Sequence, residues 1–96
     1  GEVREAPRQT VSESIAGGAG FTLQLGSFSE RENAIRFAEE IGLHINGVRV
    51  ERAEHGGAVW HRVRVGVFQS REEAEREAQR LEKVTRYKYT VLPIDI

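Results

Sequence analysis

The chain contains neither cysteine nor methionine. Without cysteine it holds no disulfide and no thiolate zinc site, so a fold has to rest on its core. That absence fits an oxidising or a reducing compartment equally well. An excess of one charge is missing too. Fourteen basic residues stand against 15 acidic ones, a net charge of −1, so the chain lacks the broad positive field of non-specific nucleic-acid binding. No apolar run approaches the roughly 20 residues of a membrane span, and no basic–apolar–small pattern marks a signal peptide. The histidines, His44, His55 and His61, have no metal-ligand spacing, and no carboxylate joins them in a motif. No metal, cofactor or catalytic residue is expected. A chain that starts at Gly1 without a methionine is expected to be a segment of a longer protein, with any membrane anchor or enzymatic domain outside it.

With 96 residues there is room for one domain. Residues 1–20 carry only Val3, Val11 and Ile15 as larger apolar side chains, with Pro7 and no period. They read as a flexible linker remnant. The composition changes at Phe21, and residues 21–96 read as the domain.

That domain is a duplication at an offset of 40. Leu23-Gln24-Leu25-Gly26-Ser27-Phe28 aligns with Val63-Arg64-Val65-Gly66-Val67-Phe68. Arg31, Glu32, Ala34, Arg36 and Ala38 recur as Arg71, Glu72, Ala74, Arg76 and Ala78. Seven identities over 19 positions in one frame exceed chance. Each unit opens with period-two alternation, Phe21, Leu23 and Leu25 in one unit and Val63 and Val65 in the other, which predicts strands with one buried face. Gly26 and Gly66 are expected to end them. Ser29-x-x-Glu32 and Ser70-x-x-Glu73 match the capping box. The apolar stripes Ala34, Phe37, Ala38, Ile41 and Ala74, Ala78, Leu81 predict helices, the first stopping at Gly42. A strand follows each, Gly47–Ala53 and Tyr87–Leu92, and His55-Gly56-Gly57 is a hairpin turn. The order βαββαβ with right-handed crossovers predicts an α+β, ferredoxin-like (RNP-like) sandwich: a four-stranded antiparallel sheet with two helices on one face.

The other face is then open, and its side chains are those out of phase with the core. They are Thr22 and Gln24 on the first strand, and Trp60, Arg62 and Arg64 on the third. A tryptophan beside an arginine and a carboxamide suits a sugar ring or a base, by stacking plus hydrogen bonds. The competing reading puts Trp60 over the edge of the core, since tryptophan is mostly buried. It also makes Arg62 and Arg64 ordinary solvated residues. The Glu/Arg-rich second helix reads as a solvated face with i,i+4 pairs and no chemistry.

FTLQLGSFSERENA and WHRVRVGVFQSREEAE resemble the two halves of a SPOR domain, the sporulation-related repeat of bacterial cell-envelope proteins. The resemblance covers all of residues 21–96 and implies the same βαββαβ fold. It also implies a non-catalytic module that binds peptidoglycan, in particular glycan strands lacking stem peptides, which are enriched at division septa. The implied setting is extracytoplasmic and septal, with a monomeric domain attached to a membrane only through its parent protein. Gln24 and Ser27 match the family's first-strand motif, and Trp60 and Arg62 the segment leading into its third strand. Thr22 and Arg64, on the same face, complete the expected glycan site. Gly66-Val67 stands where the family often has Gly-Pro, a change expected to alter only a loop. Tyr87-Lys88-Tyr89 is not mapped onto the family pattern.

Other functions fit the residues less well. Single-stranded RNA binding in the manner of RRM domains would need aromatics on both central strands and a basic surface. The first strand turns only Thr22 and Gln24 outward. Gly66-Val67-Phe68-Gln69 is similar to an acylphosphatase loop but lacks its phosphate-holding arginine. A small-molecule regulatory domain of this fold would need a dimer. Protein–protein docking through the open sheet remains an alternative to glycan binding.

Overall fold

The computed structural model describes residues 20–94. The expected linker, apart from Gly20, lies outside the described residues. Gly20 is buried, and its carbonyl accepts a hydrogen bond from the Ile94 amide at 2.8 Å.

The elements are β1 (Phe21–Phe28), α1 (Arg31–Gly42), β2 (Val48–His55), β3 (Ala58–Phe68), α2 (Arg71–Thr85) and β4 (Thr90–Pro93). Their order and the all-antiparallel sheet β2-β3-β1-β4 form the expected sandwich, with the first strand of each repeat in the centre. The apolar phase of the strands meets the helical stripes. Leu23, Val65, Ala74, Ala78, Leu81 and Tyr89 form one buried cluster, and Ala34, Ile41 and Val63 are fully buried as well. Each large aliphatic side chain so buried contributes roughly 1.5–3 kcal/mol. The alanines bring both helices close to the sheet. Phe37 of α1 spans the layer, packing on Phe28 at 5.5 Å between ring centroids and edge-on against Tyr87 at 5.4 Å. The Tyr89 hydroxyl lies 2.7 Å from that of Thr85, and burial raises the phenol above its ordinary value.

Hairpin β2–β3 closes as expected. His55 pairs with Ala58, and Gly56 and Gly57 have φ of +63° and +81°, the left-handed conformations of a two-residue type I′ turn. β2 runs to His55, two residues beyond the expected end, and β4 is confined to Thr90–Pro93 because Tyr87–Tyr89 is irregular.

Three local expectations are corrected. Gly26 and Gly66 do not end the strands, which continue to Phe28 and Phe68. Each glycine lies instead at a register shift between β1 and β3. Consequently Gly66-Val67 is part of a strand and not of a loop. Ser29 caps nothing: α1 takes Glu30 as N-cap, without a side-chain bond. In α2 the cap does form, Ser70 Oγ accepting from the Glu73 amide at 3.1 Å, and Glu73 accepts in return from the Gln69 amide. Gly42 is the last residue of α1, but the cap is Leu43 in right-handed conformation, so no left-handed glycine stops this helix.

Candidate functional site

The face away from the helices is built from cross-strand rungs, because directly paired residues point to the same side. Next to the hairpin, Ala53 pairs with Trp60. The following rung joins Glu51, Arg62 and Ser27, and the one after it Arg49, Arg64, Gln24 and Thr90. Thr22 and Leu92 form the last. The register of β2 against β3 is unbroken from Val48↔Val65 to His55↔Ala58, so Trp60, Arg62 and Arg64 alternate strictly with the core residues Val63 and Val65. Trp60 is half-buried on this outer face. His61 takes the opposite phase, opposite Phe28 on the helix side.

Gln24 and Ser27 are three residues apart, and simple alternation would put them on opposite faces. A β-bulge brings them together. Between Gln24↔Arg64 and Gly26↔Val63, β1 advances two residues while β3 advances one. Leu25 and Gly26 share the core side, and Ser27 comes round to the outer face beside Arg62. The second bulge lies at Gly66, where φ is +75°. Thr22 Oγ1 donates to the Gly66 carbonyl at 2.7 Å and lies 3.2 Å from that of Val65. Gln24 and Arg64 are equivalent in the sequence repeat and direct partners in the sheet. The approximate two-fold axis of the duplication therefore passes between them.

Thr22 and Arg64 do not stand in solvent as the alternation suggested. Thr22 is 0% and Arg64 2% exposed. Thr22 turns its hydroxyl to the bulge carbonyls and accepts from Arg49 Nη2 at 3.0 Å. Arg64 lies at the centre of the face, where both sides offer acceptors: Gln24 Oε1 to its Nε at 2.9 Å, and Glu51 Oε1 to its Nη1 at 3.3 Å. The Ile94 carbonyl lies 3.5 Å from the same nitrogen. Burial pulls the guanidinium below its ordinary value, and Glu51 opposes that shift. Arg49, itself buried, bonds Glu51 Oε2 through Nε and the Gly66 carbonyl through Nη1. Thr22 and Arg64 thus belong to a structural network, whereas Ser27 is exposed and Gln24, Trp60 and Arg62 are half-buried beside it. Arg62 and Glu51 also line a depression of about 480 Å³ between β2 and Ile94.

Residues 17–92 match the family model of the SPOR domain. The chain belongs to the SPOR domain family. Two solved structures are similar to it in fold. One is the SPOR domain of RlpA from Pseudomonas aeruginosa, 21% identical, with 78% of this chain and 97% of that chain covered at a TM-score of 0.58. The other is the peptidoglycan-binding domain of the B. subtilis cell wall lytic enzyme CwlC, 22% identical, with 79% and 90% covered, also at 0.58. No curated protein matches the chain.

Within this SPOR domain, sequence reading missed Arg49 and Glu51. Their phase was legible, since Val48 and Val50 flank Arg49 and point to the core. Only the register shows that β2 sets Arg49 and Glu51 directly opposite Arg64 and Arg62. Among the described residues no group of histidine and carboxylate side chains is arranged to hold a metal ion, and no helix is long and apolar enough to cross a membrane.

Proposed function

We propose that this domain is a non-catalytic module that binds peptidoglycan, recognising glycan strands that lack stem peptides. The observation that carries this reading is the outer face of a chain matching the SPOR domain over residues 17–92. There the indole of Trp60, the guanidinium of Arg62 and the polar groups of Ser27 and Gln24 stand on neighbouring rungs. A sugar ring stacks on Trp60, Ser27 and Gln24 hydrogen-bond hydroxyl or acetamido groups, and Arg62 meets a lactyl carboxylate. A glycan without phosphates suits a chain of net charge −1 with a few aimed donors better than it would suit a basic surface. The fold neighbour from B. subtilis is named as the peptidoglycan-binding domain of a lytic enzyme, which supports the division of labour proposed here: binding in this domain, chemistry elsewhere. The domain acts as a monomer on the outer side of the cytoplasmic membrane and carries its parent protein to the wall or septum.

The test is retention on intact and on amidase-treated sacculi. The domain is expected to be held by the stripped material in preference to the intact. Trp60→Ala, at an outward position, should lose that retention while its melting temperature stays within a few degrees of wild type. A folded Trp60→Ala domain retained as well as wild type would overturn the site, and equal binding to both materials would overturn the preference.

A further inference from the structure

We propose that Glu51 and Arg64 are positioning residues that hold the Gln24 amide in one orientation, so that Gln24 turns its N–H groups to the ligand and selects a carbonyl or carboxylate there. The inference deepens the glycan reading and rests on it.

The orientation follows from chemistry alone. A guanidinium carries donors and no acceptor, so the Gln24 atom 2.9 Å from Arg64 Nε is the oxygen. Turning the amide over would set N–H against N–H. Arg64 is itself held, with Nη1 on Glu51 and on the Ile94 carbonyl. Glu51 is held in turn: its second oxygen takes Arg49 Nε. Arg49 ends on Thr22 Oγ1 and on the carbonyl of the Gly66 bulge. Polarity therefore runs without a break from the bulge through two buried arginines to Gln24. At the end of this chain Gln24 Nε2 has no partner among the described residues. In a low-dielectric cluster a wrongly matched group is left unsatisfied, which is what turns fixed polarity into selectivity.

Gln24→Glu separates the alternatives. It keeps the shape and the acceptor facing Arg64, and replaces the outward N–H groups by an oxygen. The variant is expected to melt at or above the wild-type temperature and to bind amidase-treated sacculi roughly tenfold more weakly. Affinity equal to wild type would overturn the inference and leave glycan binding standing. A wild-type domain that is not retained at all would overturn the glycan reading and the ligand half of this one with it. The clamp is tested without ligand by ¹⁵N relaxation of the Gln24 side-chain amide. Its order parameter should lie near the rigid value of about 0.85 in wild type and fall below about 0.6 in Glu51→Gln. A mobile amide in wild type would overturn the clamp, even if Glu51→Gln fails to fold.

Discussion

Gly26 and Gly66 look interchangeable in the repeat, but their surroundings differ. Both precede a phenylalanine by two residues, and in both units that ring folds back over the space where a glycine side chain would be. A Cβ on Gly26 would come within 3.1 Å of the Phe28 ring. On Gly66 it would come within 2.7 Å of the Phe68 ring, and the backbone there has φ +75°. The left-handed conformation alone costs an alanine about 1–2 kcal/mol, and the clash adds to it. Gly66→Ala is therefore expected to lower the urea midpoint clearly, and Gly26→Ala much less, because there the ring has only to shift by tenths of an ångström. Equal effects would mean that ring contact, and not the bulge conformation, sets the requirement at both positions. The repeated Gly-x-Phe is visible in the sequence. Its purpose is not, because a glycine between strand and helix patterns has the same appearance whether it ends a strand or kinks it.

The two helices show how a repeat predicts more than its motifs do. Ser29-x-x-Glu32 and Ser70-x-x-Glu73 both fit a capping box, yet the duplication aligns Arg31 with Arg71. That places Glu30 in the role of Ser70 and leaves Ser29 one residue too early. The structure follows the alignment and not the motif. Ser70→Ala should cost about 1 kcal/mol in urea unfolding, and Ser29→Ala should change stability by less than about 0.5 kcal/mol. A comparable loss at Ser29 would show that it bonds the α1 backbone in solution. Strand β1 teaches a related lesson. Its alternation holds up to Gln24, and the bulge at Leu25–Gly26 then reverses the phase. Were β1 to alternate strictly without the bulge, Ser27 would point toward the helices, and the outer face would lose its exposed hydroxyl.

The duplication does not make two independent halves. In the first repeat β1 and β2 are not neighbours: β3 of the second repeat lies between them. In the second, β1 of the first repeat separates β3 from β4. Neither half can form a sheet without the other, and the shared core is closed only when both helices cover all four strands. Fragments of residues 20–56 and 57–94 are thus expected to lack strand signal by circular dichroism when separate. A cooperative melt of either fragment alone would contradict this. The interleaving also explains why the Gln24–Arg64 pair sits at the centre of the outer face. Equivalent residues of a two-fold repeat meet only at its axis, and there the sequences of the two units have diverged into a carboxamide and a guanidinium.

Element order, the phase of the core, the hairpin at Gly56–Gly57 and the membership of Trp60 and Arg62 in the outer face were all legible in the chain. Each depends on neighbours close in sequence or on strict alternation, which periodicity records. The burial of Thr22 and Arg64, the roles of Arg49 and Glu51 and the meeting of Gln24 with Ser27 on one face required the folded molecule. Those features depend on where β1 slips against β3 and on polar contacts between residues as far apart in sequence as Thr22 and Arg49 or Gln24 and Arg64. A hydrogen bond between distant side chains leaves no period in a sequence. Alternation reports which way a side chain points, but the partners it finds are supplied by strands that the chain reaches only after folding.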